Sequence, residues 1–332
     1  MEPVRWGVLS TAGIVRKVLA GARRSDDVEV VAVASRDGAR AAACAAEHGI
    51  PRWHAGYQAL LADPDVEAVY LPLPNALHHE WTVAALAAGK HVLCEKPYSR
   101  RPEEVVEAFR SARSRGLVLS EAFMFRYSPQ IRRLADLVVD GSIGELRLVN
   151  ASFSHPMPDA DDIRASAVLD GGSLMDVGCY CVSASRLLAG EPDQVTAQAL
   201  TGPTGVDLGL VATLSFPDGV LAHLDSAFRV PNRSLLEVVG TTGVLRVNDP
   251  WHGLAPGLEL TGPDGVRVPV PVESANSYQL ELEEFGAAVR GLPNTLLGEA
   301  DAVGQARTIE ALYRSAAGGG AVPVGQATNS TS

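Results

Sequence analysis

Residues 4–14 read VRWGVLSTAGI, a short apolar run that ends at small residues and is followed by helical spacing. The next apolar run, VEVVAVA at residues 28–34, is rich in β-branched side chains, as is typical of strands buried on both faces of a parallel sheet. Apolar runs and helical segments keep alternating as far as residue 120. This alternation predicts a doubly wound parallel sheet of the Rossmann type, with right-handed crossovers.

The pattern changes after about residue 125, which predicts a second domain. From Gln194 to Leu260 short apolar alternations are separated by turn signals, among them Pro217-Asp218-Gly219 and Thr242-Gly243. We predict a dinucleotide-binding Rossmann domain over residues 1–122. We predict an α+β domain with an open, mostly antiparallel sheet over residues 123–332. Helices predicted over 278–289 and 301–316 are candidates for packing back on the first domain.

The composition limits the classes of function that fit this chain of 332 residues. The formal net charge is −11 and the arginine pairs are scattered, so there is no basic face for nucleic acid. No run approaches the roughly 18 apolar residues of a membrane helix. The four cysteines form no Cys-x-x-Cys pair, which favours a reduced, cytoplasmic location and offers no metal motif. We therefore predict a small-molecule partner rather than nucleic acid, a membrane or a metal.

The first strand-to-helix turn is the candidate pyrophosphate site, formed by Ser10, Thr11, Ala12, Gly13 and Ile14. A dinucleotide site needs a tight turn whose bare backbone N–H groups face the phosphates at a helix N-terminus. Ser10 and Ala12 stand where the first two glycines of the G-x-G-x-x-G fingerprint would be, although small residues still permit close approach. The alternative is a plain strand–helix turn.

The end of the second strand predicts the choice of cofactor. Ser35 and Arg36, with Arg40 one helical turn further on, supply the hydroxyl and the cations that suit a 2′-phosphate. Asp37 is the opposing signal, because NAD sites use an acid for the ribose hydroxyls. We predict NADP in preference to NAD, with a solvated loop as the alternative.

The loop after the fourth strand, with Leu73, Pro74, Asn75 and His78, lies where open α/β sheets bind ligands. Asn75 and His78 are candidates for hydrogen bonds to the cofactor ribose. Turn chemistry followed by a helix start is the alternative for this loop.

Glu95-Lys96-Pro97 ends the next strand. Proline restricts the preceding residue to extended backbone, which directs Lys96 away from the sheet edge. A lysine beside the nicotinamide would donate a hydrogen bond to a substrate hydroxyl and lower the pKa of a nearby acid or base. The alternative is an ordinary surface lysine.

Residues 170–180, DGGSLMDVGCY, form the second informative segment. Two glycines permit a close approach before a helix on which Asp176 and Tyr180 share a face. A carboxylate is thereby paired with a phenol that can carry a proton. An unperturbed tyrosine has a pKa of about 10, and a neighbouring ammonium lowers it. The alternative is a capped helix with a core tyrosine.

In their order and spacing, five segments together resemble the Gfo/Idh/MocA family, which includes glucose–fructose oxidoreductase and inositol dehydrogenase. The segments are RWGVLSTAGI (5–14), YLPLPNALHHEW (70–81), HVLCEKP (91–97), EAFMFRYSP (121–129) and DGGSLMDVGCY (170–180). The last is similar to the branch with dimeric dihydrodiol dehydrogenase, glucose–fructose oxidoreductase, NADP-dependent xylose dehydrogenase and sugar ketoreductases. In that branch a tyrosine replaces a histidine, and Tyr180 stands at that position.

The resemblance implies roles for individual residues. Lys96 and Tyr180 would meet at the nicotinamide as the acid/base pair. Asp176 would orient the substrate hydroxyl, and Arg164, in the predicted pocket loop near residues 155–170, would contact the sugar.

On the cofactor side, the resemblance implies that Glu95, Asn75 and His78 lie along the dinucleotide, with Arg126 nearby. Residues 10–14 would cover the pyrophosphate. Ser35 and Arg36 would lie at the adenosine end.

The implied reaction is hydride transfer between nicotinamide C4 and a secondary alcohol or ketone carbon of a sugar-like substrate. The resemblance also implies a homodimer or homotetramer formed through the C-terminal sheet. Two other classes stay open. One is a glycosidase or eliminase that oxidises its substrate only transiently. The other is a non-catalytic regulator that senses NADP.

Overall fold

The computed structural model describes residues 2–157 and 162–325. The chain forms two compact units. The first comprises Met1–Ser128 and Ala275–Val303, and the second comprises Pro129–Ser274 and Gly304–Ser332. Residues 158–161 of the predicted pocket loop, and residues 326–332 of the predicted second domain, lie outside the described residues.

The parallel sheet that the sequence predicts forms the centre of the first unit. Its strands are β1 (Val4–Leu9), β2 (Val28–Ser35), β3 (Arg52–Ala55), β4 (Ala68–Leu71), β5 (His91–Glu95) and β6 (Leu119–Ala122). The spatial order is β3-β2-β1-β4-β5-β6, and every neighbouring pair is parallel. This is the strand order of a dinucleotide-binding Rossmann sheet, so the predicted fold class is confirmed for this unit.

The helices lie largely where the apolar spacing predicts them. In the described residues they are α1 (Val15–Ala22), α2 (Gly38–His48), α3 (Tyr57–Leu61), α4 (His78–Ala87), α5 (Pro102–Ser114), α6 (Pro129–Val139), α7 (Cys179–Ala189), α8 (Ser277–Val289) and α9 (Glu299–Gly318). The predicted helix over 278–289 thus differs from α8 by one residue. Helix α9 extends two residues beyond each end of the helix predicted over 301–316.

Helix α8 completes the core of the first unit although it is distant in sequence. Phe285 of α8 packs on Trp6 of β1 with ring centroids 4.9 Å apart, and both side chains are buried. Leu282 belongs to the same apolar cluster. Burying an aromatic side chain of this size contributes about 1.5–3 kcal/mol to stability, which explains why this C-terminal helix returns to β1.

A second sheet forms the second unit. Its strands are β7 (Leu146–Ser154), β8 (Gln194–Thr201), β9 (Asp207–Ser215), β10 (Leu221–Ala227), β11 (Arg233–Gly240), β12 (Val244–Asn248), β13 (Gly257–Thr261), β14 (Arg267–Val270) and β15 (Val322–Pro323). Their order is β14-β13-β12-β11-β7-β10-β9-β8-β15.

Only β7 and β10 pair in parallel among these described strands, and all other neighbours are antiparallel. The predicted, mostly antiparallel sheet is therefore confirmed. The predicted turns at Pro217-Asp218-Gly219 and Thr242-Gly243 connect β9 to β10 and β11 to β12. Helix α7 packs on β7 and β10. Among the residues that the structure describes, no helix is long and apolar enough to cross a membrane.

Candidate active site

The turn between β1 and α1, the predicted pyrophosphate site, has an unusual backbone conformation. Ser10 has φ +151°, a conformation that glycine adopts far more readily than other residues. Its Oγ accepts a hydrogen bond of 3.0 Å from the Ala12 N–H, which stabilises the turn. Gly13 is exposed, and a Cβ built there meets no atom within 4 Å. Ser10 therefore adopts the conformation expected of the absent glycine, and the space beside Gly13 is open to a phosphate.

Asp37, the signal against NADP, serves as the N-cap of α2. Its carboxylate accepts hydrogen bonds from the N–H groups of Ala39 (2.8 Å) and Arg40 (3.3 Å). Such a cap satisfies N–H groups that have no partner within the helix. Ser35 Oγ in turn accepts a bond of 3.2 Å from the Asp37 N–H. The acid is thus engaged in local structure, which weakens the argument that it would select NAD.

The cations beside this cap are accessible. Arg36 and Arg40 are both exposed, whereas Ser35 is buried at the end of β2. Burial raises the pKa of Tyr57, while the charge of Arg36 and a hydrogen bond from it oppose that shift. The Arg36 side chain is therefore near the Tyr57 hydroxyl. These residues fit a 2′-phosphate at the adenosine end.

His78 links two loops in the interior of the first unit. It is fully buried, and its Nε2 and Nδ1 lie 2.8 Å from the Leu73 carbonyl and 3.0 Å from the Pro97 carbonyl. Burial lowers the pKa of its imidazole. Because both ring nitrogens face backbone carbonyls, this geometry does not support the predicted hydrogen bond to a ribose. Asn75 begins a short 3₁₀ turn, Asn75–Leu77, and is only half-buried, so it stays a candidate for cofactor contact.

Glu95 organises the end of β5. Its Oε1 accepts a hydrogen bond of 2.5 Å from the Tyr70 hydroxyl, and its Oε2 accepts one of 3.2 Å from the Lys96 N–H. Burial and then the charge of Glu95 raise the pKa of Tyr70, so the phenol remains a donor. Lys96 itself is half-buried and precedes Pro97 through a cis peptide bond. The carboxylate therefore fixes the backbone from which the Lys96 side chain extends.

Arg126 is engaged in an ion pair within the first unit. Its guanidinium lies 3.2 Å from the carboxylate of Asp301 at the start of α9, and both side chains are mostly buried. Its predicted position near the cofactor stays a prediction.

In the second unit, a π-helix over Leu174–Gly178 leads directly into α7. π-helical turns inside helices occur frequently at functional sites. Asp176 lies on this turn, and its Oδ2 is 2.8 Å from Arg164 Nε and 3.0 Å from His155 Nε2. The structure thus brings together two predicted residues, Arg164 and Asp176, and adds a third.

His155 was not predicted as a site residue. Its Nδ1 also lies 3.1 Å from the Pro156 carbonyl, so both ring nitrogens face acceptors. The hydrogen bond to Asp176 is the main cause of a raised His155 pKa. The sequence shows only that this histidine follows β7, a position that carries no functional signal by itself.

Tyr180 lies one helical turn after Asp176 and packs on aromatic side chains. The Phe153 ring makes an edge contact with Tyr180 at 5.4 Å between centroids and stacks on Trp251 at 5.8 Å. His252 contacts the same phenylalanine at 5.7 Å. Trp251 Nε1 donates a bond of 3.0 Å to the Ser152 carbonyl, which fixes its indole. Phe153, Trp251 and His252 were not predicted, because they are distant from Tyr180 in sequence.

The predicted site residues are therefore divided between the units. Lys96 and the predicted cofactor residues belong to the first unit, and Arg164, Asp176 and Tyr180 belong to the second. Within each unit, hydrogen bonds and packing contacts hold the predicted residues in place. The first offers a turn and cations suited to a dinucleotide, and the second offers a carboxylate between a guanidinium and an imidazole, beside packed aromatic side chains.

Two protein-family models match this chain, one over its N-terminal part and one over its C-terminal part. Residues 4–123 match the family model described as "Oxidoreductase family, NAD-binding Rossmann fold". Residues 131–246 match the model described as "GFO/IDH/MocA C-terminal domain". The two matches together cover well over half of the chain.

Curated relatives include D-xylose 1-dehydrogenase (NADP(+)) 2 of Haloferax volcanii, which is 42% identical over 96% of this chain and 98% of its own length. They also include a dTDP-3,4-didehydro-2,6-dideoxy-alpha-D-glucose 3-reductase of Actinomadura kijaniata, which is 39% identical over 74% of this chain and 75% of its own length.

Among solved structures, the 3-ketoreductase KijD10 from Actinomadura kijaniata, in complex with NADP and TDP-benzene, has a TM-score of 0.88 and 34% identity. That match covers 94% of this chain and 98% of the other. These similarities agree with the resemblance noted in the sequence. The chain belongs to the Gfo/Idh/MocA family of oxidoreductases.

Proposed function

We propose that this chain is an NADP-dependent oxidoreductase that transfers a hydride between nicotinamide and a secondary alcohol or ketone of a sugar or sugar-like substrate. The observation that carries the proposal is Asp176, held between His155 and Arg164 one helical turn before Tyr180. A fixed carboxylate next to a phenol suits the binding and deprotonation of a sugar hydroxyl. The relative that is a D-xylose 1-dehydrogenase makes D-xylose the first substrate to test.

Bound NADP supplies the hydride acceptor at nicotinamide C4. The chain's own residues position the substrate and move its proton. Tyr180 accepts the hydroxyl proton as the C–H bond of the same carbon breaks, and in the reduction direction it returns that proton. Lys96 donates a hydrogen bond to the reacting oxygen and stabilises negative charge that develops there and on the phenol. Asp176 accepts a hydrogen bond from the hydroxyl and fixes its orientation.

Three features of the first unit support NADP as the cofactor. The Ser10 turn and the open space at Gly13 suit a pyrophosphate. Exposed Arg36 and Arg40 suit a 2′-phosphate. Engagement of Asp37 as a helix cap reduces its value as a ribose ligand.

The test is a panel of aldoses and ketosugars, starting with D-xylose and D-glucose, with NADP⁺ and NAD⁺ and the nicotinamide absorbance as the signal. We expect net NADPH formation with at least one aldose. Lys96→Met and Tyr180→Phe should still bind NADPH but lose at least about 100-fold in kcat, the usual scale of general acid–base catalysis. Wild-type turnover in both variants would contradict the mechanism.

The same panel distinguishes the other two classes. Product formation without net change in nicotinamide absorbance would indicate transient oxidation, as in a glycosidase or eliminase. NADPH binding without turnover of any substrate would indicate a regulator.

We also propose a cytoplasmic location and a homo-oligomer that forms through the second sheet. Support for the oligomer comes from apolar side chains on the exposed positions of this sheet, including Val211, Leu221 and Leu235. Exposed apolar patches of this kind mark association surfaces in many proteins. Light scattering after size-exclusion chromatography would test this, since a monomer at micromolar concentration contradicts it.

A further inference from the structure

We propose that Asp207, which no part of the predicted site includes, is a positioning residue for the catalytic π-helix. Asp207 begins β9 in the second unit and is 4% exposed. Its Oδ2 accepts hydrogen bonds of 2.7 Å from the Ser173 hydroxyl and 2.7 Å from the Leu174 N–H. Its Oδ1 accepts one of 2.9 Å from the Tyr313 hydroxyl.

These bonds lie at the point where the π-helix begins. Leu174 is the first residue of that helix, so its N–H has no partner within the helix and needs an acceptor. Asp207 supplies the acceptor from a strand, and Tyr313 of α9 holds the carboxylate from the other side. Burial raises the pKa of Asp207, and the bonds from Ser173, Leu174 and Tyr313 oppose that shift.

Gly172 permits this arrangement. It has φ +120°, and a Cβ at this residue would lie 2.1 Å from Asp207 Oδ1. The Gly172 N–H also donates a bond of 2.9 Å to the Arg164 carbonyl, and the Gly172 carbonyl accepts one of 2.9 Å from the Asp176 N–H. The segment that Asp207 holds is therefore bonded to the backbones of both Arg164 and Asp176.

A chain of direct contacts follows from this geometry. Asp207 fixes Ser173 and Leu174, these fix the start of the π-helix, and the π-helix carries Asp176 into its contacts with Arg164 and His155. Buried, fully bonded polar groups of this kind hold a local backbone conformation rigidly. The role of Asp207 rests on the proposed function, because Asp176 and Tyr180 are the residues that it would position for catalysis.

The conservative variant separates hydrogen bonding from charge. In Asp207→Asn, the amide oxygen can accept from Ser173 and Leu174 while the amide N–H donates to the Tyr313 oxygen. In Asp207→Ala the Leu174 N–H and the Tyr313 hydroxyl lose this acceptor, whereas the Ser173 hydroxyl keeps its contact with Ser226. Ser315→Ala is the matched control, because Ser315 is also buried and bonds Ala197 N–H at 2.9 Å, in a contact between α9 and β8.

The first readout is independent of catalysis. NMR titration of the His155 imidazole reports its bond to Asp176. In Asp207→Ala we expect the His155 pKa to fall towards its ordinary value, while Asp207→Asn and Ser315→Ala should match the wild type. The second readout is kcat with D-xylose and NADP⁺. We expect kcat to fall at least about 10-fold in Asp207→Ala and to change less than about threefold in Asp207→Asn. The NADPH dissociation constant of Asp207→Ala should also change less than about threefold.

A folded Asp207→Ala protein with wild-type His155 titration and kcat within twofold would overturn the inference. Equal losses in the Asn and Ala variants would also overturn it, because the hydrogen bonds would then not be the cause. If Asp207→Ala does not fold, Ser173→Ala removes one donor, and an unchanged His155 titration in that variant contradicts the proposal. Tyr180→Phe is the reference. If it keeps wild-type kcat, the proposed function fails, whereas the titration still tests Asp207.

Discussion

The bond between His155 and Asp176 makes the stability of the second unit depend on pH. The two side chains are mostly buried, their atoms are 3.0 Å apart, and the hydrogen bond raises the folded-state pKa of His155. A raised pKa means that folding favours the protonated imidazole. The contribution of the His155–Asp176 bond to the free energy of unfolding is therefore fully present below the unfolded-state histidine pKa of about 6.5. It is lost as the pH rises through the folded-state pKa.

The variant to compare is His155→Gln, whose uncharged amide can still donate a hydrogen bond to the Asp176 carboxylate. The two proteins therefore differ in the charge of the donor at acid pH, and not in the acceptor. Because both side chains are partly exposed, we expect this charge–charge contribution to be about 1 kcal/mol, the upper value for surface ion pairs. A change of that size lowers Tm by about 2–4 °C in a domain of 150–250 residues.

The assay is thermal unfolding of wild type and His155→Gln between about pH 5.5 and pH 9, spanning the ordinary histidine range. We expect the Tm gap to be largest at the acid end and to close as the pH rises. The control is His155→Gln made in an Asp176→Asn background, where the carboxylate that raises the pKa is absent and the Tm gap should show no such trend. A gap that stays constant, or widens towards pH 9, would refute the assignment of a raised pKa to this ion pair.

Three further predictions concern the first unit. Gly13→Ala should leave Tm nearly unchanged, because its Cβ meets no atom, but should weaken NADPH binding at least about 10-fold in a fluorescence titration. Arg36→Ala should raise the dissociation constant for NADP⁺ at least about 10-fold more than that for NAD⁺. Asp37→Ala should lower the free energy of unfolding by about 1 kcal/mol without changing the preference for NADP⁺. His78→Leu should lower the free energy of unfolding by about 1–3 kcal/mol, measured with urea, because a buried carbonyl loses the imidazole N–H as its donor.

The parts of the fold that depend on local pattern could be predicted from the sequence. The alternation that begins with residues 4–14 and 28–34 specifies the parallel sheet, because apolar periodicity acts over a few residues. The turns after β9 and β11 were predictable for the same reason. The contacts of Asp37 are local, since its carboxylate accepts from N–H groups two and three residues further on, and an acid at a helix start is a recognisable cap signal. The return of α8 to β1 was visible only as an apolar helix, since no local signal identifies Trp6 as the partner of Phe285.

Roles that depend on distant contacts could not be predicted. The loop position makes His78 a candidate ribose ligand, but both of its ring nitrogens lie within hydrogen-bond distance of backbone carbonyls in the interior. His155 and Trp251 carried no signal, because only the second sheet brings their strands and loops to the helix of Tyr180.

The contacts of Asp176 bear on which group accepts the substrate proton. Its carboxylate lies within hydrogen-bond distance of a guanidinium and of an imidazole whose pKa is raised. Protonating this carboxylate would forfeit its attraction to the guanidinium and weaken its hydrogen bond to the imidazole, so it is a poor base and a good fixed anion. A fixed anion can orient a hydroxyl but needs a second group to take the proton. Tyr180, one turn further along the same helix and packed on Phe153, is the group that the second unit supplies. The contacts that fix the Asp176 carboxylate therefore also make it a weak base, and this is why the proposal assigns the proton to Tyr180.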